Sequence, residues 1–283
     1  MLALQINRRK LMPLLGNGIV HLILISFGII MIAPFIWMVT TSLKTLPEVY
    51  MFPPKLLPEK WQWSNYIEAW NYAPFGSFYF NSVFAGVMVT LGQLVTSSLA
   101  AYAFSRLRFP GRNWIFYCYL GTMMIPYQVT LIPSYMLMRW FGWIDTYQAL
   151  IVPFLADTFG VFLLRQYFLT IPDSLEDAAL IDGCSRFRIL SSIFLPLSKP
   201  ALATVALMTF LKNWNSFFWP LIAINSMKMR TLPVGLVLFV DEAGTQWHLQ
   251  MAASVISIVP VILLFVAAQK YFIRGITLTG VKG

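Results

Sequence analysis

The amino-acid sequence predicts an all-α, polytopic membrane protein with six transmembrane helices and one short cytoplasmic helix. Of the 283 residues, 58% are hydrophobic and only 11% are charged, whereas soluble domains carry about 25% charged residues. Long apolar runs occupy most of the chain, and about 20 such residues suffice to cross the hydrocarbon core of a bilayer. No remaining stretch is long enough for a separate soluble domain. Residues 1–283 are therefore expected to form a single transmembrane domain.

The first three spans are predicted at residues 19–40, 78–104 and 113–138. The first follows a basic segment, as in a signal peptide, but its apolar part is too long and lacks a small-residue cleavage site. The second contains no charge, and its small side chains favour close helix packing. Pro126 and Pro133 interrupt the third span, next to the polar residue Gln128. Such a broken helix is typical of a segment that faces protein or a water-filled cavity.

The other three spans are predicted at residues 147–164, 201–224 and 251–269. Asp157 lies near the middle of the fourth span, and Lys212 lies about halfway along the fifth.

The aromatic loop 44–77 suits a segment at a membrane interface. A docking surface for an external partner is the alternative interpretation of this loop. The two cysteines are too few for a disulfide framework, so both are expected to be free thiols.

The distribution of Lys and Arg predicts the orientation of the spans, because cytoplasmic loops carry the excess of positive charge. A cytoplasmic N-terminus places thirteen basic residues inside: Arg8, Arg9, Lys10, Arg106, Arg108, Arg112, Arg165, Arg186, Arg188, Lys199, Lys270, Arg274 and Lys282. Six fall outside: Lys44, Lys55, Lys60, Arg139, Lys228 and Arg230. Both termini and the loop 165–200 are therefore predicted to be cytoplasmic. The net charge of +9 reflects this orientation and does not indicate nucleic-acid binding.

The cytoplasmic loop contains a short acidic helix, predicted at residues 174–183. Ser174 begins it, and Asp177 three residues later completes a capping box. Residues 178–181 favour a helix, and Gly183 offers a left-handed C-terminal cap. Barely two turns are too short to be stable alone in water. The helix is therefore expected to lie against a partner surface.

A spaced motif begins in this helix. Asp177-Ala178-Ala179 is followed by three residues, Gly183, nine residues, Ile193, one residue and Leu195-Pro196. This pattern resembles the signature loop of bacterial ABC-transporter permeases, where a glutamate usually stands in place of Asp177. Further segments resemble the smaller permease subunit of maltose and glycerol-phosphate importers: residues 63–66, 126–133, 162–166, 213–215 and 280–283.

The resemblance implies a permease subunit of an ATP-driven importer in the bacterial inner membrane, carrying a di- or oligosaccharide or a glycosylated polyol. In that family the short helix is a coupling helix that docks on an ATPase subunit. The implied partners are a second, related permease, two cytoplasmic ATPase subunits, an external solute-binding protein and membrane lipid. ATP and Mg belong to the ATPase subunits, because this sequence lacks a glycine-rich phosphate loop. No cofactor, metal or catalytic residue is expected in this chain.

The resemblance also implies which residues contact the ATPase: Ser174, Leu175, Glu176, Asp177, Ala178, Ala179, Ile181, Asp182 and Gly183. Whether Asp177 or its neighbour Glu176 makes the contact expected of the family's glutamate stays open.

Two charges within the spans indicate a polar path. A charge at bilayer depth costs roughly 3 kcal/mol and usually faces a cavity or a partner. Asp157 and Lys212 lie roughly 15 and 18 Å from the outer ends of their predicted spans, so we hypothesise that they pair or face the path together. Separate satisfaction by backbone carbonyls or by a second permease is the alternative. The other residues predicted to face the path are Gln128, Asn213, Trp214, Asn215 and Trp219, because amides bond sugar hydroxyls and tryptophan stacks on sugar rings.

Two other function classes are less consistent with the sequence. A secondary transporter driven by an ion gradient tends to carry several intramembrane carboxylates and repeated halves, whereas this sequence has one such carboxylate and no clear repeat. A membrane enzyme is disfavoured because His21 and His248 are the only histidines. No spacing typical of a nucleophile and base, or of metal ligands, accompanies them.

Overall fold

The computed structural model describes residues 2–241 and 244–279. Glu242 and the predicted terminal motif of residues 280–283 lie outside the described residues. The same is true of several basic side chains used to predict orientation: Arg8, Arg9, Lys10, Lys270, Arg274 and Lys282.

The described residues are mostly helical. The α-helices, in chain order, are α1 (Leu2–Ser42), α2 (Leu46–Val49), α3 (Ser64–Asn71), α4 (Phe75–Arg106), α5 (Arg112–Gly121), α6 (Tyr127–Trp140), α7 (Tyr147–Ile151), α8 (Thr158–Phe168), α9 (Asp173–Ile181), α10 (Arg186–Ile189), α11 (Leu195–Leu197), α12 (Lys199–Trp214), α13 (Phe218–Ala223), α14 (Leu232–Gly235) and α15 (Trp247–Thr279). Short 3₁₀ segments and one π-helical turn, Leu190–Phe194, join some of them. Two short antiparallel strands, β1 (Val240–Asp241) and β2 (Gly244–Thr245), precede α15.

Three helical stretches are long and apolar enough to cross a membrane on their own: Val20–Ser42, Phe75–Arg106 and Trp247–Ala267. Three bent helix pairs meet the same criterion when each pair is taken as one span: Arg112–Met124 with Tyr127–Trp140, Tyr147–Phe154 with Thr158–Phe168, and Arg186–Leu197 with Lys199–Trp214. The bends are 99°, 40° and 83°, respectively. The predicted all-α, polytopic architecture is confirmed, and six spans result if each bent pair counts once.

The positions of the breaks differ in part from the prediction. The third span breaks at Ile125 and Pro126, where Pro126 adopts an extended conformation, whereas Pro133 lies within α6 without ending it. The fifth span was predicted to reach residue 224, but α12 ends at Trp214. Asn215 and Ser216 follow, and such side chains compete with helical backbone bonds. Lys212 therefore lies in the last turn of a helix rather than at its middle.

The backbone contacts divide the chain into two compact units. Unit 1 contains residues up to 69 and residues 239–256. In this unit the chain after α1 folds around Lys44, which is 2% exposed. The Lys44 ammonium donates to the carbonyl of Lys55 at 2.5 Å and lies 4.6 Å from the ring centroid of Trp37. The amide of Asn65 donates to the carbonyls of Ser42 and Lys44. Trp61 and Trp63 remain exposed and stack on each other.

Unit 2 contains residues 70–238 and those from 257 onward, and α4 is its centre. The helix packs mainly against α8 and α12. Two glycines permit this close approach: a Cβ added at Gly160 would lie 2.6 Å from the hydroxyl of Ser97, and one added at Gly92 would lie 2.3 Å from Leu155. The prediction that small residues let the spans pack closely agrees with these distances.

Asp145 joins two loops of unit 2. One carboxylate oxygen accepts hydrogen bonds from the backbone N–H groups of Asn225 and Ser226 and from the Ser226 hydroxyl, at 2.9 to 3.1 Å. Partial burial raises the pKa of Asp145, but these hydrogen bonds outweigh it, and the net pKa lies below its ordinary value. The residue also adopts a positive φ of 63°, which Asp and Asn tolerate better than other non-glycine residues.

Replacing Asp145 with asparagine is expected to lower the unfolding free energy by about 1 kcal/mol at pH 7, because hydrogen bonds to a charged acceptor are stronger than those to a neutral one. Since the folded-state pKa is lowered, the advantage of the carboxylate is complete above its ordinary pKa of about 3.9 and disappears as the pH falls through the folded-state value. The thermal midpoints of both proteins in detergent, measured from pH 7 down to about pH 3, should converge. A difference that is independent of pH would contradict this role.

Candidate functional site

A cavity of about 890 Å³ lies in unit 2, within the range of about 300–1,000 Å³ typical of small-molecule sites. Its walls come from α4, α6, α12 and the connection between α7 and α8. The lining combines hydroxyl and amide groups with aromatic and thioether side chains: Val89, Gln93, Thr122, Met123, Ile125, Tyr127, Thr130, Ser134, Pro153, Phe154, Ala156, Asp157, Thr158, Phe159, Met208, Thr209, Lys212, Asn213, Ser216 and Trp219.

The part of the cavity wall between α7 and α8 is a break in the fourth span. Side chains of α4 donate hydrogen bonds to the backbone carbonyls that the break leaves free. The amide of Gln93 donates to the carbonyl of Phe154 at 2.8 Å, and the hydroxyl of Thr96 donates to the carbonyl of Leu155 at 2.6 Å. Thr209 of α12 donates to the Gln93 carbonyl oxygen at 2.6 Å. Backbone groups without partners cost several kcal/mol in hydrocarbon. The break is therefore a stable part of the cavity wall.

An ion pair crosses the cavity wall beside this break. The Lys212 ammonium lies 2.8 Å from an Asp157 carboxylate oxygen, so the pairing hypothesis is confirmed. Asp157 is also the N-cap of α8, where it accepts from the N–H of Phe159 at 3.2 Å. Lys212 lies in the last turn of α12. Each charge thus lies at the helix end whose dipole favours it.

Four of the seven residues predicted to face a path line the cavity: Asp157, Lys212, Asn213 and Trp219. Trp219 is nevertheless 1% exposed, and its indole N–H donates to the carbonyl of Ala149 at 2.8 Å. The structure does not bring the other three into the lining. Trp214 is buried against Phe210 and Tyr79, Asn215 bonds the carbonyl of Leu211, and Gln128 is exposed outside the cavity wall.

Sequence reasoning missed Gln93 and Thr209. A signal existed for Gln93, since it is an amide inside a predicted span that contains no charge. Gln128, predicted for a similar reason, is exposed outside this cavity, and its place in a solute path stays a prediction.

The short acidic helix α9 begins one residue earlier than predicted, at Asp173, and Pro172 precedes it. No side chain caps its N-terminus, so the predicted capping box of Ser174 and Asp177 is wrong. Pro172 has a φ of −58° and a ψ of 138°, which directs the chain into the helix without a side-chain cap. Asp173 instead forms an ion pair with Arg106 of α4.

The C-terminal end of α9 is formed as predicted. Gly183 adopts a φ of +77°. Its N–H donates to the carbonyl of Leu180 at 3.0 Å, and the N–H of Cys184 donates to the carbonyl of Ala179 at 2.9 Å. This hydrogen-bond pattern is a Schellman motif. It ends the helix and turns the chain toward α10.

Glu176 attaches α9 to the rest of unit 2. Its carboxylate is buried and accepts from the Tyr102 hydroxyl at 2.9 Å and from the Arg186 guanidinium at 2.5 Å. The guanidinium of Arg106, 5% exposed, lies 3.8 Å away and also bonds the carbonyls of Phe168 and Ile171. Ala179, one turn on from Glu176, is buried in the apolar cluster of this unit. The inner face of α9 is thus held by a buried charge network.

The opposite face of α9 is exposed and partly apolar. Leu175 is 43% exposed and Ile181 86% exposed, and Asp177 and Ala178 are exposed as well. Glu176 and Ala179, which were also predicted to contact an ATPase, are buried against their own chain in this structure. Of the two neighbouring carboxylates, Asp177 is the one available to a partner in this structure.

The described residues contain no group of three or more His, Cys, Asp or Glu side chains that could hold a metal ion. Cys118 and Cys184 are both free.

Comparison with known proteins identifies the family. The family described as "Binding-protein-dependent transport system inner membrane component" matches residues 93–278. The probable ABC transporter permease protein YurM of Bacillus subtilis is 36% identical over 271 residues, covering 95% of this chain and 90% of YurM. The sn-glycerol-3-phosphate transport system permease protein UgpE of Yersinia enterocolitica is 34% identical, covering 90% of this chain and 94% of UgpE.

Two further relatives extend the comparison. The arabinooligosaccharides transport system permease protein AraQ of Halalkalibacterium halodurans is 40% identical, covering 72% of this chain and 73% of AraQ. A chain in the crystal structure of a bacterial ABC transporter involved in the import of the acidic polysaccharide alginate superimposes with a TM-score of 0.81 at 29% identity, covering 90% of this chain and 96% of that one. This chain therefore belongs to the inner-membrane components of binding-protein-dependent transport systems and is a permease of the ABC transporter class.

Proposed function

We propose that this chain is one of two related permease subunits of an ATP-driven importer for a sugar or sugar-like solute. Two cytoplasmic ATPase subunits, which bind ATP and Mg, drive the cycle, and an external binding protein delivers the solute. The exposed face of α9 is the docking surface for one ATPase, so α9 is the coupling helix and lies in the cytoplasm. The N- and C-termini lie on the same side of the membrane.

The observation that carries this proposal is the division of α9 into two faces. The inner face is attached through Glu176 to α4 and to Arg186, so a displacement of α9 is passed to the spans. The outer face exposes Leu175, Ala178 and Ile181. Full burial of a leucine or isoleucine side chain contributes about 1.5–3 kcal/mol, and burial of alanine contributes less. An attached helix with an unburied apolar surface suits the transmission of movement from a docked subunit.

The sugar assignment is supported by the cavity and by the relatives. Hydroxyl and amide groups such as Thr130, Ser134 and Asn213 line the cavity together with Tyr127 and Phe159. Polar groups of this type bond sugar hydroxyls, and aromatic rings pack on sugar faces. The relatives named above include permeases for arabinooligosaccharides and glycerol 3-phosphate and a transporter for alginate.

Vesicle uptake distinguishes this proposal from an importer driven by an ion gradient. The complete complex of this chain, a second permease and two ATPases is reconstituted in proteoliposomes. ATP is enclosed inside with the ATPase subunits, and the binding protein is added outside. Uptake should require ATP and persist when ionophores collapse the ion gradients. Uptake that needs a gradient and proceeds without ATP would contradict the proposal.

Replacing Ile181 with glutamate tests the docking surface of α9. Because Ile181 is 86% exposed, the free permease should fold normally. Burying a charge in place of an apolar side chain that contributes about 2 kcal/mol should weaken ATPase binding by roughly 30-fold or more. Co-purification of the ATPase measures the effect. Met227→Glu, an equivalent exchange at an exposed position in a loop predicted to be external, is the control and should bind normally. Equal co-purification of both variants would refute docking at α9.

A further inference from the structure

Two charged side chains line the described part of the cavity, Asp157 and Lys212, and they neutralise each other at 2.8 Å. The other polar groups of the lining are hydroxyls and amides, which carry no charge. The cavity therefore presents hydrogen-bonding groups without a net charge.

The two partners of the ion pair are not equally free to move. The Asp157 side chain is 22% exposed and is fixed by its cap of α8. The Lys212 side chain is 70% exposed, on a flexible stem that reaches into the cavity. A cation so exposed in a cavity would attract an anionic solute if it were alone. Asp157 both neutralises it and repels an anion placed close to the same point.

We infer that the Asp157–Lys212 pair sets the charge class of the solute and makes this path selective for neutral polyhydroxylated solutes over anionic ones. This inference rests on the proposed function, because it assumes that the cavity belongs to the solute path. The relatives do not decide the matter, since their names include both an arabinooligosaccharide permease and transporters for glycerol 3-phosphate and an acidic polysaccharide.

The test compares two probes that differ only at one carbon, methyl glucoside and methyl glucuronide. Equilibrium dialysis of radiolabelled probe is carried out against the purified complex of permeases and ATPases without the binding protein. It measures the affinity of the membrane complex itself for each probe. Asp157→Asn and Asp157→Ser remove the negative charge, yet both new side chains can cap a helix. Lys212→Gln combined with Asp157→Asn removes both charges and serves as the neutral control.

In the two carboxylate-free variants the ratio of glucuronide to glucoside binding should rise about tenfold or more, because an unpaired cation within about 4 Å of an anion contributes more than 1.4 kcal/mol at intermediate dielectric. The double variant should return to within about twofold of the wild-type ratio. An unchanged ratio in both carboxylate-free variants, or a wild-type complex that prefers glucuronide, overturns the inference. A purely structural ion pair would lower the binding of both probes equally and leave the ratio constant.

The dialysis measurement needs no ATP, so its result and the result of the uptake experiment can be judged separately. If ATP-dependent uptake by the wild-type importer fails, the proposed function is contradicted, whatever the dialysis shows. If uptake succeeds and the ratio does not respond to Asp157, only the charge-selection inference is wrong.

Discussion

Replacing Glu176 with alanine is expected to detach α9 from unit 2 and to abolish transport. The change removes the acceptor of the buried Tyr102 hydroxyl and of the Arg186 guanidinium, and Arg106 keeps only its ion pair with Asp173. A buried donor left without its acceptor costs roughly 1–3 kcal/mol, and the Tyr102 hydroxyl becomes such a donor. A nine-residue helix has little stability of its own. Most of that free energy should therefore appear as local unfolding of α9.

Hydrogen exchange across residues 170–186 measures the detachment, and ATP-dependent uptake measures its consequence. Asp182→Asn is the matched control, because Asp182 is an exposed acidic residue at the opposite end of the same helix. It should leave the hydrogen exchange of α9 near its wild-type rate. Glu176→Gln keeps the size of the side chain and should give an intermediate result. If α9 of Glu176→Ala stays protected from exchange, the buried network does not hold this helix.

Replacing Gly183 with valine is expected to reduce transport by about tenfold or more without disturbing ATP hydrolysis by the isolated ATPase subunits. No heavy atom lies within 4 Å of a Cβ built at Gly183, so the new side chain meets no steric obstacle. The cost comes from the backbone, because a φ of +77° is unfavourable by about 1–2 kcal/mol for a non-glycine residue and more for a β-branched one. The Schellman motif would open, and the corner after α9 would lose its fixed geometry.

Asparagine at position 183 provides the control for this change. Asparagine tolerates the left-handed conformation, so Gly183→Asn should retain most uptake, whereas Gly183→Val should not. Uptake and ATP hydrolysis measured together report the ratio of solute to ATP. Normal uptake by the valine variant would show that the fixed corner is unnecessary for coupling.

Continuous runs of apolar residues were sufficient to predict the spans but not the places where the spans break. Runs of about 20 apolar residues locate α1, α4 and α15 because bilayer thickness sets their length. α12 ends at Trp214, whose ring packs against Tyr79 of α4. This contact joins residues far apart in the chain, so the local sequence does not reveal it. The pairing of Asp157 and Lys212 is observed, although the depth predicted for Lys212 was counted from a span end at residue 224 that the structure does not show.

The faces of α9 could not be assigned from the sequence alone. An amphipathic helix normally buries its apolar side, yet α9 buries Glu176 and exposes Ile181. The reason is the buried guanidinium of Arg106, supplied by a span that lies about seventy residues earlier in the chain. Gly183 was predictable because its conformation is a local property of the backbone.

The break between α7 and α8 has a consequence for the transport cycle. A span that had to unwind in each cycle would expose backbone groups to hydrocarbon, at several kcal/mol for each group without a partner. Here Gln93 and Thr96 already occupy the carbonyls of Phe154 and Leu155, so no solute is needed to create the break. In the proposed transport cycle this span can therefore reorient as two preformed segments, without a step in which a helix unwinds.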